Sequence, residues 1–206
     1  MTLKALMFRN CASGGQLLTA AAVMFALAHG SPVVAAQSTP SVTVREERGV
    51  YTVTARFLVE QSASVVLAVL TDYEEIPRFM PGVQTSIVRE RANGRTIVEQ
   101  EVVSGVVMFS KRLHLILEIE EQSDALIFRD RCGVNFRQYE GAWRLSSQDG
   151  QTAITYELTA EPSFDVPAFI FKRLFKGDSA QMIEHRQREI AARATSGAGL
   201  APQSPK

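Results

Sequence analysis

Cysteine, histidine and tryptophan are scarce in this chain, and their scarcity excludes several classes of protein. The 206 residues include two cysteines, three histidines and one tryptophan. A small disulfide-stapled fold needs more cysteines, and no cysteine and histidine spacing matches a zinc site. Basic and acidic residues are equal in number, at 22 each, so the charge balance gives no support for binding nucleic acid.

The common catalytic motifs are missing as well. The sequence contains no G-x-S-x-G, H-E-x-x-H or C-x-x-C motif, no phosphate-binding loop and no dinucleotide glycine fingerprint. Nucleophilic, zinc and nucleotide chemistries therefore lack support, and we expect no cofactor. Glu184, His185 and Glu189 come nearest to a metal-ligand set, but they are better explained as the solvated face of a helix. We expect no metal site.

The first residues have the pattern of a secretory signal peptide. Lys4 and Arg9 precede an uncharged run, Leu17–Ala28, and small residues follow at Val34-Ala35-Ala36. The run is short for a membrane span. We interpret residues 1–36 as a cleaved signal and expect a periplasmic or secreted protein beginning at Gln37. An uncleaved N-terminal anchor is the alternative.

Removal of the signal leaves a single-domain chain of 170 residues with one cysteine. Cys11 leaves with the signal, so Cys132 has no partner for a disulfide. A buried, inert thiol explains Cys132 better than a reactive nucleophile. Residues 37–41 read as a linker.

The first part of the domain predicts two strands followed by two short helices. Ser41–Glu46 and Tyr51–Val59 alternate apolar and polar residues on either side of a turn at Arg48-Gly49. The period then changes at Ser62–Leu70, and Asp72–Ile76 continues as a second helical turn.

From Val83 onward, alternation with period two persists for about eighty residues and predicts five long strands. Asn93-Gly94 is a hairpin signal, Gln122–Ala125 is a looser turn, and Ser147–Gly150 closes another hairpin. These connections are short, so the strands should pair antiparallel.

The last periodic segment, Val166–Arg193, is the long helix of the domain. Its apolar residues recur near a period of 3.6, and charged residues, Arg186 among them, fill the solvated face, while Asp165 and Pro167 mark its start. At 1.5 Å per residue it would extend roughly 40 Å, enough to cross a small sheet. The fold class is thus α+β, with a curved antiparallel sheet wrapped around a long C-terminal helix. Residues 195–206 should form a disordered tail.

Several segments together carry a resemblance to a known family. They are Thr71–Gly82, Phe136–Leu145, Thr155-Tyr156, Pro162 and Val166-Pro167, taken with the order of the elements. In these features residues 42–194 resemble the START-like superfamily, also called SRPBCC or helix-grip proteins. Within it, the chain is most similar to the polyketide cyclase/dehydrase and coenzyme Q-binding group.

The resemblance implies a helix-grip fold with an apolar cavity between the sheet and the C-terminal helix. It also implies a hydrophobic small-molecule ligand, such as a lipid, a quinone or a polyketide-like compound, and transient contact with a membrane. A non-catalytic binding module is our leading interpretation. The alternatives are a cyclase or dehydratase that uses the same cavity, and a scaffold whose own side chains fill it.

Candidate cavity residues come from the short helices, the strands and the long helix. Core packing alone would explain several of them equally well. Phe169 and Phe171 lie about 200° apart on a helix, so only one can face inward; Phe169 is the candidate and Phe171 is the alternative. The full set of candidates is Tyr73, Phe79, Met80, Met108, Phe128, Tyr139, Trp143 and Phe169.

Asp130 is the candidate polar group of the cavity. It shares strand parity with the apolar Phe128 and Cys132, so its carboxylate should point inward unless a bulge intervenes. For the cyclase alternative, Asp130, Tyr139 and Tyr156 are the nearest acid and base candidates. We assign no catalytic residue.

Overall fold

A computed structural model describes residues 39–106, 109–165 and 167–198. The predicted signal peptide, the start of the mature chain at Gln37 and the candidate Met108 lie outside these residues. Nothing in the structure therefore bears on those three predictions.

The described chain forms one eight-stranded antiparallel sheet with helices on one side. The sheet order is β1-β2-β8-β7-β6-β5-β4-β3. The strands are β1 (Ser41–Glu47), β2 (Val50–Val59), β3 (Val83–Ala92), β4 (Arg95–Val106), β5 (Phe109–Glu121), β6 (Ala125–Asp130), β7 (Phe136–Gln148) and β8 (Gln151–Pro162). The helices are α1 (Ala63–Leu70), a 3-10 turn (Tyr73–Glu75), α2 (Ile76–Phe79) and α3 (Ala168–Ala198).

This architecture confirms the predicted α+β helix-grip class, with short helices after the first hairpin and one long helix at the end. Apolar and polar residues alternate along the strands as predicted. In β2, every second side chain is buried from Tyr51 to Val59. Those inward side chains meet α3, whose Ile183 and Ile190 are fully buried. The core therefore lies between one sheet face and one helix stripe.

Six strands follow the short helices, so the prediction of five is wrong. The stretch after Asn93-Gly94 folds back on itself as β4 and β5, paired from Arg95↔Glu120 to Val106↔Phe109. No glycine, proline or asparagine falls at residues 107 and 108, so the sequence carried no turn signal there.

The ends of α3 differ from the prediction. Its first turn is closed by the Pro167 carbonyl, which accepts hydrogen bonds from the Ile170 and Phe171 amides at 2.9 and 3.3 Å. The helix continues to Ala198, whereas a disordered tail was expected from Thr195. The Thr195 and Ser196 hydroxyls donate to the Ala192 carbonyl at 2.7 and 3.0 Å and so extend the last turns. Residues 199–206 lie outside the described chain.

Gly141 marks a point where the sheet leaves no room for a side chain. A Cβ at this position would lie 2.1 Å from the Glu157 carbonyl oxygen and 2.7 Å from the Phe128 ring. Glycine within a strand permits such close approach and helps a sheet to bend. The curvature that forms the concave face therefore depends locally on Gly141.

We predict opposite effects for alanine at two glycines. Gly141→Ala should lower the free energy of unfolding by about 1–3 kcal/mol, since the methyl group overlaps backbone. Gly177→Ala should raise it by about 0.5–1 kcal/mol, because Gly177 is exposed within α3 with no atom near its missing Cβ. Urea denaturation of both variants checks this, and equal effects would contradict the described packing.

Candidate functional site

A cavity of about 440 Å³ lies between the concave sheet face and α3. That volume falls within the range of small-molecule binding sites. The walls are mostly apolar and come from the segment after α2, from β3–β5, from β7–β8 and from α3. The apolar side chains are Ile76, Met80, Pro81, Val83, Val102, Val103, Leu113, Leu115, Phe136, Leu158, Phe164, Phe171, Leu174, Phe175 and Met182.

Aromatic packing positions the N-terminal half of α3. The Phe171 ring lies 5.3 Å from the Tyr51 ring on β2, 5.5 Å from Phe164 and 5.8 Å from Phe175, measured between ring centroids. Such tilted and stacked pairs add to the stabilisation from buried area. These bulky rings fasten the helix to β2, and residues of β4 and β5 form the facing wall of the cavity.

Asp178 is the carboxylate of the cavity lining. It accepts a hydrogen bond from the Ser104 hydroxyl on β4. Burial raises the pKa of Asp178 above its usual value, and the Ser104 hydrogen bond opposes that shift. The neutral acid is therefore favoured here more than at the surface.

Tyr139 and Tyr156 add two hydroxyls to the cavity lining from the neighbouring strands β7 and β8. Burial, with the charges of Asp130 and Asp178, raises the pKa of Tyr139 to about 12. Burial also raises the pKa of Tyr156. Both phenols are neutral at physiological pH and can donate hydrogen bonds to a ligand.

Arg186 is the cation at the end of the cavity nearest α1 and α2. Its side chain is only 8% exposed, and Nη1 donates to the Val69 carbonyl at 3.3 Å. The guanidinium carbon lies 5.6 Å from the ring centroids of both Phe79 and Trp143. Burial lowers the pKa of Arg186 to about 10, which still leaves it charged at neutral pH.

Sequence reasoning placed Arg186 on the solvated face of the helix, and that placement is wrong. Arg186 follows Ile183 by three residues and precedes Ile190 by four, so it lies on the apolar stripe. This spacing was the signal that could have identified it. Asp178 and Ser104 were missed because no periodicity brings β4 and α3 together.

Two predicted residues, Met80 and Tyr139, line the cavity. Phe128 and Trp143 are buried behind the lining: the Phe128 ring lies 6.1 Å from Tyr139, and Trp143 lies 4.5 Å from Tyr156. These two therefore support the wall.

The remaining predicted aromatics of the short helices also stand behind the cavity surface. Tyr73 is buried and donates to Glu121 Oε1 at 3.0 Å. Phe79 packs over Arg186. Neither side chain is part of the cavity lining, and of their two partners only Arg186, the partner of Phe79, belongs to it.

The assignment of Phe169 to the cavity is wrong. Phe169 is 74% exposed, whereas Phe171 is 7% exposed and belongs to the lining. The Phe171 ring is held inward by its contacts with Tyr51, Phe164 and Phe175, and not by the helical phase of the buried residues further along α3. Phe169 then points to the opposite side.

Asp130 is not a cavity group, so that prediction is also wrong. Its Oδ1 accepts from the Ile116 and Cys132 amides at 2.9 and 3.0 Å, and Oδ2 accepts from Gly133 at 3.1 Å. The carboxylate caps the turn that follows β6, where Gly133 has φ +67°. Cys132, predicted to be buried, is a free and half-buried thiol in this turn.

Within residues 39–106, 109–165 and 167–198, no group of histidine, cysteine, aspartate and glutamate side chains is arranged to hold a metal ion. In the same ranges, no helix combines the length and the apolar character needed to cross a membrane.

The comparison with protein families identifies the group to which this cavity belongs. The family described as polyketide cyclase / dehydrase and lipid transport matches residues 59–185. The chain belongs to this family. A search among curated proteins found no match. The family match confirms the resemblance to the polyketide cyclase/dehydrase group that was inferred from the sequence.

Solved structures share the fold at low identity. The Zhui aromatase/cyclase from Streptomyces sp. R1128 is 13% identical, with a TM-score of 0.60, covering 70% of this chain and 96% of that one. A STAR-related lipid transfer protein from Xanthomonas axonopodis is 14% identical, with a TM-score of 0.55 and coverages of 75% and 99%. Human STARD10 is 11% identical, with a TM-score of 0.59 and coverages of 79% and 77%.

We predict that Asp178→Asn stabilises the protein in a pH-dependent way. The folded-state pKa of Asp178 is raised above its ordinary 3.8, so the wild type loses stability as pH rises through the folded value. Asparagine removes that loss but can still accept from Ser104. The melting temperature of the variant should therefore exceed that of wild type at neutral pH, and the gain should shrink as pH falls through the raised pKa and vanish below about pH 4.

Thermal melts from acidic to neutral pH measure this gain, with Asp165→Asn on the exposed loop before α3 as the matched control. A gain that is constant across the pH range would show that ionisation of Asp178 carries no cost in the folded state.

Proposed function

We propose that this protein binds a hydrophobic small molecule, such as a lipid, a quinone or a polyketide-like compound, without transforming it. The observation that carries the proposal is the cavity of about 440 Å³, whose walls are aliphatic and aromatic side chains. An open apolar cavity of this size leaves surface unburied that a ligand can cover. The scaffold alternative, in which side chains fill the space, has no support from this geometry.

The energetics are sufficient for useful affinity. Burying a methylene group contributes about 0.8 kcal/mol. Roughly ten buried methylenes would therefore reach micromolar binding once the costs of association are subtracted. One structural neighbour is named a STAR-related lipid transfer protein, which supports this class of ligand.

A cyclase-type reaction is the second candidate, and one observation favours it. Asp178, whose pKa burial raises, shares the cavity with the neutral hydroxyls of Tyr139 and Tyr156. A cyclase needs an acid and a base held near its substrate. One structural neighbour is named an aromatase/cyclase. The test is turnover of a polyketide-like substrate by the wild type. If Asp178→Asn abolishes that turnover but still binds the substrate, the protein is a cyclase-type enzyme.

We also propose that the protein is exported. The proposal rests on the basic residues Lys4 and Arg9, the apolar run and the small residues before Gln37. Intact mass of the protein from its native cells should give a chain that begins at Gln37. If the chain instead keeps its N-terminal segment and is found in the membrane fraction, the protein is anchored and not free in the periplasm.

Ligand entry should change the fluorescence of Trp143. The indole is 6% exposed and lies 4.5 Å from the ring of Tyr156, which lines the cavity. Titration with a long-chain lipid or an isoprenoid quinone should therefore give a saturable change in emission. Phe171→Asp, which puts a charge in the lining, should weaken binding by at least about tenfold.

Phe169→Asp is the matched control for that variant, because it makes the same change two residues away on the exposed side of α3. It should bind as wild type does. Circular dichroism verifies that both variants fold. Equal binding by the two variants, or no emission change with any ligand and no heat on calorimetric titration, would contradict the proposal.

A further inference from the structure

Arg186 carries a buried positive charge that has no carboxylate partner in the part of the chain that the structure describes. Burial, the tyrosine hydroxyls of Tyr73 and Tyr156, and Arg193 determine its pKa, and no acidic side chain contributes. Among the described residues, its Nε has no hydrogen-bond partner, and Nη1 reaches only the Val69 carbonyl. A buried charge in this state is costly unless something else compensates it.

The nearby carboxylates are already engaged. Glu121 Oε1 accepts from the Tyr73 hydroxyl at 3.0 Å and from Thr96 at 2.6 Å. Asp72 and Glu189 are paired with Arg193 at 2.7 and 2.8 Å. Each acid therefore has its own donor.

The remaining acid of the cavity lining is too distant to serve as a counterion. Asp178 precedes Arg186 by eight residues of α3, which places the two about 12 Å apart along the helix axis. Burial also favours the neutral form of its carboxyl, since the pKa of Asp178 is raised. The guanidinium of Arg186 thus faces an apolar cavity with its charge unmatched.

We propose that Arg186 receives the carboxylate of an amphiphilic ligand whose hydrocarbon part occupies the apolar cavity. This inference rests on the proposed function and names the ligand class. Arg186 belongs to the cavity lining, and the Tyr156 hydroxyl beside it supplies a further donor. A planar guanidinium matches the two oxygens of a carboxylate. One guanidinium balances a single negative charge, which favours a carboxylate over the more highly charged phosphate monoester.

The positions of the lining residues also set the orientation of the ligand in the cavity. The carboxylate end lies where Arg186 contacts Phe79, Trp143 and the end of α1. The chain then runs along α3 past Met182 and Leu174 toward Phe171. Apolar contacts along this length provide affinity, and Arg186 provides selection for the charged head group.

Laurate and methyl laurate test this directly, because they share a chain and differ in charge. Calorimetric titration of wild type near neutral pH should show laurate binding at least about tenfold more tightly, as expected for hydrogen bonds to a buried charge. In Arg186→Met the difference should disappear, while methyl laurate binds within about threefold of wild type. Arg173→Met, the same change on the exposed side of α3, should keep the preference.

The stability of ligand-free protein gives a second readout. Replacing an unpaired buried charge by an apolar side chain of similar length should leave the melting temperature of Arg186→Met equal to or above that of wild type. Arg186→Gln provides a neutral polar variant should the methionine variant not fold. Its laurate preference should also disappear.

Equal affinity of wild type for laurate and methyl laurate would overturn the inference and leave the proposed function standing. A laurate preference that persists in the folded Arg186 variants would overturn it as well. Failure of wild type to bind either compound, with no change in Trp143 emission, would remove the proposed function and this inference together.

Discussion

The contact between α3 and the concave face of the sheet is the interaction on which the structure depends. It is uneven along the helix. Ile183 and Ile190 are fully buried against the core, so the C-terminal half is closely packed. In the N-terminal half, the rings of Phe171, Phe175 and Tyr51 form the contact and leave a cavity beside them. One helix thus bounds the ligand site from Phe171 to Arg186 and closes the core through Ile183 and Ile190.

Curvature of the sheet is the second requirement, since a flat sheet would place its face directly against the helix. Antiparallel strands twist, and the close approach at Gly141 lets β7 bend toward β8. The same curvature brings Tyr139 and Tyr156 to the cavity while Phe128 and Trp143 remain behind them. The aromatic side chains therefore divide into those that a ligand can touch and those that hold them in place.

The apolar walls of the cavity provide affinity for a ligand, whereas its polar groups provide recognition of the ligand's end group. Apolar walls favour any hydrophobic chain of suitable length and discriminate poorly between end groups. A buried guanidinium strongly distinguishes a carboxylate from a neutral group, because desolvated charges are costly when unmatched. In this account Arg186 selects ligands that carry a carboxylate. The selectivity has a cost in free energy, because the charge of Arg186 is unpaired in the ligand-free protein.

Local pattern predicted the fold well, because alternation and helical period report directly on which face is buried. It failed where tertiary contacts decide the outcome. Phe171 faces inward in place of Phe169 because of ring contacts with Tyr51 and Phe164 outside the helix, and Asp130 turns to the Ile116 amide of a neighbouring strand. Arg186 was assigned to the solvated face because charged side chains usually face water, although its spacing along the sequence places it on the apolar stripe of α3.

Native mass spectrometry of the protein purified from its own cells tests the central claim most directly. If the cavity between α3 and the sheet is a ligand site, the folded protein should carry a hydrophobic molecule in a ratio near one to one. Organic extraction should release that molecule for identification. A folded protein that shows only its own chain mass, and whose extract matches a mock purification, would contradict the account.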